Sequence, residues 1–314
     1  DFEGFTAFHG FGPSGDTTAS PLQFSSAGDI RFRGVRAPVD VALEPQGALI
    51  TAADLLLEGR RIYASTLTDF LLANVAEGGT ITFGKRGSDA VDAPLSAGSS
   101  ITVQADTIVQ GGRLYAPIGT IALEAAAEVR LAGDSLTSVT GLGASILFGR
   151  IQVEDWVFPY NDAGGLTRVF EADPDSVFGV PPEKRITLTA DGRDVDDQPI
   201  GTIDIEPGAL IDVRGGGSLL ATEFLPGPLG KMNLLDASVQ NGSFALLPTS
   251  GDVITPIDPL ESAFEFGALG QIEIREGGDS GLLPGTYAIL PPRYALLPGA
   301  VLLTPVDVSA ANAL

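Results

Sequence analysis

Residues 100–123 read SITVQADTIVQGGRLYAPIGTIAL. Two runs in it, Ser100-Ile101-Thr102-Val103 and Thr120-Ile121-Ala122-Leu123, stand 20 residues apart, and Thr80-Ile81-Thr82-Phe83 precedes the first by the same interval. Each begins with a hydroxyl residue and then alternates apolar, small, apolar. That is the period of a strand with one dry face. Val109 and Val129 keep the spacing. A longer echo also exists: ADLLLEGRRIYAS at 53–65 and ADTIVQGGRLYAP at 105–117 share six of thirteen positions at an offset of 52. This offset is not a multiple of 20, so the units carry insertions.

The runs are short and punctuated. Ile203-Asp204-Ile205 is followed by Pro207-Gly208, then Leu210-Ile211-Asp212-Val213, then Gly215-Gly216-Gly217. A sandwich uses strands of five or more residues between turns every 8–12. Strands this short fit a coil of about 20 residues, each strand pairing with its equivalent one coil on. One coil cannot bury its inward side chains, but a stack can, and its backbone groups bond to the coils on either side. Ile, Val, Leu and Ala should point inward, and Thr, Gln, Asp, Glu and Arg outward. Glycines should take the corners that need positive φ. Parallel crossovers are right-handed. The expected fold is therefore all-β, a right-handed parallel β-helix (a solenoid) with loop excursions.

The expected organisation has four parts. Residues 1–28, with Phe2, Phe5, Phe8 and Phe11, form an N-terminal edge segment or part of a preceding coil. Residues 29–150 are coils. Residues 151–200, polar and aromatic, form an excursion that leads back into coils. Residues 201–314 are coils again, with a Pro- and Leu-rich excursion at 218–266. Coil character is clearest at 29–150, 183–217 and 268–303.

Composition excludes much. The 314 residues include 18 Lys and Arg, 40 Asp and Glu, one His, no Cys, 40 Gly and 22 Pro, with a net charge of −22. Thiolate chemistry, disulfides and multi-histidine metal sites are excluded. The charge opposes binding to nucleic acid and to anionic lipid. At 44% hydrophobic, the chain can bury a large core. The most apolar tract, 287–306, contains four prolines and Arg293, which do not suit a membrane helix. No signal peptide opens the sequence at Asp1, as expected of a mature chain or an excised piece.

The run from Ala105 to Leu123 resembles the coils of filamentous-haemagglutinin-like exoproteins, the two-partner-secretion adhesins of Gram-negative bacteria. Similar stretches are Ser138–Gly143 with Ile146–Gly149, Pro182–Leu188 with Gly208–Gly217, and Leu283–Ala300. The resemblance covers patches between about residues 100 and 305 and is to an internal shaft segment, since the family's Asn-rich secretion motifs are missing. It implies a right-handed β-helix, export through an outer-membrane transporter, and a secreted or cell-surface location. Implied partners are a glycan or protein on a host or neighbouring cell. It implies no catalytic residues. Absence of cysteine suits a chain threaded unfolded through a pore. Open coil ends are sticky edges, so end-to-end self-association is a further expectation.

Glu171, Asp173 and Asp175, and Asp191, Asp194, Asp196 and Asp197, are the acidic clusters. Paired carboxylates there would suit a polysaccharide-active β-helix enzyme, a hydrolase or lyase, which is the alternative reading. The bland reading, a solvated acidic loop, is preferred in so acidic a chain, and no enzyme is expected. Asp194, Asp196 and Asp197 are the calcium candidates, although the run lacks calcium-loop order. No other cofactor is expected. His9, near Ser14, Asp16 and Asp29, lacks a nucleophile elbow. Gly215-Gly216-Gly217 and Gly277-Gly278 match no phosphate fingerprint and read as corners. Trp156, Phe158 and Tyr160 alternate in WVFPY and are surface-contact candidates, with burial against the wall preferred.

Overall fold

Residues 100–111 and 120–131 each form one strand, Ser100–Gly111 and Thr120–Leu131, and the two pair in parallel from Ser100↔Thr120 to Gln110↔Leu131, with a register shift between Ala105 and Thr107. The 20-residue interval is thus the spacing of this strand pair up to the register shift, whereas Thr80–Phe83 pairs with Thr107–Gln110, 27 residues on, and Val129 pairs with Ile108 in place of Val109. The computed structural model describes residues 2–3, 5–8, 21–34, 46–87, 92–152, 155–158, 168–170, 183–193, 196–222, 243–249, 271–275, 282–290, 292, 295 and 299–304. Their regular elements are all β-strands, and the fold is all-β with parallel sheets. Two compact units result, one of Asp1–Ala144 with Pro181–Gly217 and the other of Ser145–Val180 with Ser218–Leu314.

The first unit contains a ten-stranded and a six-stranded sheet, both parallel throughout. On one half of the larger sheet, Phe5–Phe8, Gln46–Thr51, Asp69–Asn74, Ser100–Gly111, Thr120–Leu131 and Arg185–Ala190 pair in that order. On the other half the order is Leu22–Ser25, Leu55–Gly59, Thr80–Lys85, Ser100–Gly111, Thr120–Leu131 and Thr202–Ile205. The smaller sheet runs Phe2–Glu3, Ile30–Arg33, Ile62–Ala64, Arg113–Tyr115, Leu136–Ser138 and Leu210–Asp212.

Register stacks like residues into files. Leu49, Leu72, Val103, Leu123 and Leu188 lie in register on one half of the larger sheet. Leu22, Leu55, Ile81, Ile108, Val129 and Ile203 do so on the other half. A third file runs Phe24, Leu57, Phe83, Gln110, Leu131 and Ile205. The apolar members of these files, except Ile203 and Ile205 at the far end, join Ile30, Phe32, Ile62 and Leu114 from the smaller sheet in one apolar cluster. Rings help fill it near Phe2: the Phe2 ring lies 4.9 Å from Phe24 and 5.9 Å from Phe32, and Phe32 stacks on Phe70 at 4.7 Å.

Two details depart from the simple inward–outward rule. Gln110 is fully buried in an otherwise apolar file. Its Nε2 donates to the Leu136 carbonyl at 2.9 Å and its Oε1 accepts the Gly112 N–H at 3.1 Å. It thereby satisfies backbone groups that the turn frees, which is what makes a buried amide tolerable. The corners are the other departure. Leu67, Gly98 and Ile118 each lie two residues before a strand and each has positive φ, so only one of these three equivalent corners is glycine. Leu67 and Ile118 are buried, so core contact offsets the roughly 1–2 kcal/mol that a left-handed conformation costs an L-residue. Close approach dictates glycine elsewhere: a Cβ on Gly119 would run into the Ser99 carbonyl oxygen.

The offset of 52 has a structural cause. Leu55–Gly59 and Ser100–Gly111 are separated by Thr80–Lys85 in the larger sheet. In the smaller sheet, Ile62 and Tyr63 pair directly with Leu114 and Tyr115. The described residues between Lys85 and Ser100 contribute no strand there, so the row that contains Thr80–Lys85 has no described partner strand in the smaller sheet.

In the second unit, Ser145–Gln152 pairs in parallel with Ser218–Thr222 and antiparallel with Asp155–Phe158, which pairs antiparallel with Arg168–Phe170. A further sheet is antiparallel throughout, in the order Gln271–Ile274, Gly285–Leu290, Phe244–Thr249 and Val301–Leu303. The expectation of coils at 268–303, and with it of coils to the end of 201–314, is corrected here. Alternation in Gln271–Ile274 and Gly285–Leu290 marks a dry face and carries no strand direction. Their connection is shorter than the dozen residues that a parallel crossover needs.

Candidate functional site

The most developed polar constellation lies on the smaller sheet. Arg31, Tyr63, Tyr115, Ser138 and Asp212 occupy one register file, on the opposite face from Ile30, Ile62 and Leu114. A file on the outward face should be solvated, yet all five residues are buried. Arg61 and Asp29 join them, with side chains only 1% and 8% exposed. Arg61 Nη2 donates to Asp29 Oδ2 at 2.6 Å, and Nε reaches Oδ1 at 3.0 Å. The guanidinium lies 5.8 Å from the Tyr63 ring centroid.

Part of the cover comes from the described residues between Lys85 and Ser100. Arg61 Nη1 donates to the Asp92 carbonyl at 3.1 Å. Ser96 Oγ donates to the Ala64 carbonyl at 2.6 Å, and the Gly98 N–H to the Pro117 carbonyl at 3.0 Å. Arg113, which echoes Arg61 in the 52-residue repeat, donates to the carbonyls of Arg86 and Gly87. The two repeated arginines therefore pin this segment.

Burial, and then the nearby Asp29 carboxylate, push the Tyr63 phenol from 10.0 up to about 12, with Arg31 and Arg61 opposing. Burial likewise raises Tyr115. An unfolded tyrosine ionises near 10, so between pH 10 and 12 the unfolded chain loses a proton that the folded chain keeps. Stability is thus complete below pH 10 and falls as pH rises towards 12, by about 2–3 kcal/mol for Tyr63. Urea midpoints at pH 9, 10.5 and 11.5 should show this decline, and Tyr63→Phe should flatten it. At the end of the file, hydrogen bonds from Arg214 hold the Asp212 carboxyl below its ordinary range. Arg214 Nη2 donates to Asp212 Oδ2 at 2.8 Å.

A wide groove of about 530 Å³ crosses the larger sheet, with Val75, Gln104, Glu124, Thr189 and Asp191 in its lining. Gln104 Nε2 donates to Glu124 Oε2 at 2.9 Å. Among the described residues, no aromatic ring lines this groove.

Asp196 and Asp197 are exposed. Asp197 has a positive φ of 60°; its backbone carbonyl accepts Arg193 Nη1 at 2.9 Å and its carboxylate forms an exposed ion pair with the same atom at 3.6 Å. Asp194 lies outside the described residues. Among the described residues no three His, Asp or Glu side chains are grouped to hold a metal. Trp156 and Phe158 sit in the strand Asp155–Phe158, paired with Phe170 and Arg168. Tyr160, His9, Ser14, Asp16, Glu171, Asp173 and Asp175 lie outside the described residues. Asp29, weighed as a triad member, is committed to Arg61. Sequence reasoning did not single out the Arg61 and Tyr63 cluster, although Arg61/Arg113 and Tyr63/Tyr115 were identical positions of the echo. Comparison with family models, with curated proteins and with solved structures finds no match.

Proposed function

We propose that this chain is a structural, surface-exposed segment of a secreted bacterial adhesin or extracellular filament, its first unit a right-handed parallel β-helix. The observation that carries this reading is the stack of in-register apolar files. Equivalent residues from up to five parallel strands, such as Leu22, Leu55, Ile81, Ile108 and Val129, fill one column. Such a column is a spacer: each added row lengthens it by about 4.8 Å. The described buried polar groups support the same reading, because Gln110, Arg61, Asp29 and Ser96 bond to turns and to one another.

The filamentous-haemagglutinin-like resemblance supplies the setting: export by an outer-membrane transporter, Gram-negative surface or extracellular location, and contact with cell-surface glycan or protein. No catalytic role is proposed, and no cofactor. The test is to incubate purified chain with cells and with immobilised acidic and neutral glycans. The account expects saturable binding with glycans recovered uncleaved. Turnover that Asp196→Ala or Asp197→Ala abolishes would replace it with the polysaccharide-active alternative.

A further inference from the structure

We propose that the edge made by Arg185–Ala190, Thr202–Ile205 and Leu210–Asp212 docks a second copy of this chain, head to tail, against that copy's Phe5–Phe8, Leu22–Ser25 and Phe2–Glu3. This deepens the filament reading and rests on the stacked-row fold proposed above. Among the described residues each of these six strands pairs on one side only. They are the two ends of the same three ladders and run in the same direction, so one edge is the template the other continues.

Burial shows that the far end stops short of completion. Val129 and Leu131 are 0% and 1% exposed, whereas their register partners Ile203 and Ile205 are 48% and 50% exposed. Leu210 and Val213 beside them are exposed by more than half. The same apolar side chains that an interior row buries are left half in water. At the opposite end the files finish in Leu22 and Phe24, partly buried against the core. Stacking a second copy in register sets its Leu22 on Ile203 and its Phe24 on Ile205. A heterologous contact of this kind does not close, so it propagates as a filament.

The register names a cross-link. Gln23, Leu56, Thr82, Val109, Arg130 and Asp204 form one file. Docking therefore brings Gln23 of one copy opposite Asp204 of the next, at about the 5 Å strand spacing, within the Cα range of a disulfide. The chain has no cysteine, so every disulfide reports on the introduced pair. Equal amounts of Gln23→Cys and Asp204→Cys are mixed and oxidised. The expected product is the mixed dimer, at least tenfold above either homodimer, and Ile203→Asp added to the Asp204→Cys chain removes it. Monomers alone, or homodimers in equal yield, overturn the docking. Amide exchange of wild-type chain is read in parallel. If Val129 and Leu131 are protected, a failed cross-link defeats the docking and leaves the fold reading standing. If they are unprotected, the stacked-row reading fails with it.

Discussion

Replacing Arg61 with alanine will destabilise the first unit by about 3–5 kcal/mol. Two effects add. Asp29, whose side chain is only 8% exposed, loses the guanidinium it accepts from. The Asp92 carbonyl also loses the hydrogen bond from Arg61 Nη1. A buried charge left alone costs far more than the pair contributes when intact. The double variant Asp29→Asn/Arg61→Leu should therefore be less damaging than Arg61→Ala alone. Amide exchange at Ile62, Leu114 and Leu123 is the readout, because a two-unit chain need not unfold in one step. Equal protection in Arg61→Ala and wild type would refute the buried pair as a structural clasp.

Phe83→Ala should cost a similar amount, about 3–5 kcal/mol. The ring is fully buried, and its file neighbours are Leu57 and Gln110. Removing it opens a cavity whose walls are strands held by backbone ladders on either side, so collapse is limited. The comparison that makes this specific is Phe24→Ala in the same file. Phe24 sits in an edge strand and is only partly buried, so its loss should cost about half as much. Equal losses at the two positions would mean that Phe83 is no better enclosed than Phe24.

Much of the first unit was legible because its period is short and its core chemistry repeats. The runs at Ser100 and Thr120 sat 20 residues apart and pair residue for residue. The row at Arg185 was legible too, although the second unit's residues 145–180 separate it from its partner Thr120–Leu131. Strand direction in the second unit was not legible, since alternation is the same for parallel and antiparallel neighbours. The polar cluster was hidden for another reason. Arg31, Tyr63 and Asp212 stand at outward positions, where a one-dimensional pattern assigns solvent. The contacts that close around the cluster, Arg61 to Asp29 and the Asp92 carbonyl, and Asp212 to Arg214, are tertiary or local events without periodicity. The acidic run around Asp196 drew attention by composition, yet Asp197 is committed to a local turn with Arg193.

The stacking claim stands most exposed where the chain returns to the ladder. Backbone proton contacts between Ile121–Leu123 and Ile186–Leu188, measured by nuclear magnetic resonance on deuterated protein, test it directly. The expected result is in-register parallel contacts, with Ile121 facing Ile186, Ala122 facing Thr187 and Leu123 facing Leu188. Antiparallel contacts, or none between these segments while each remains a strand, would contradict the account.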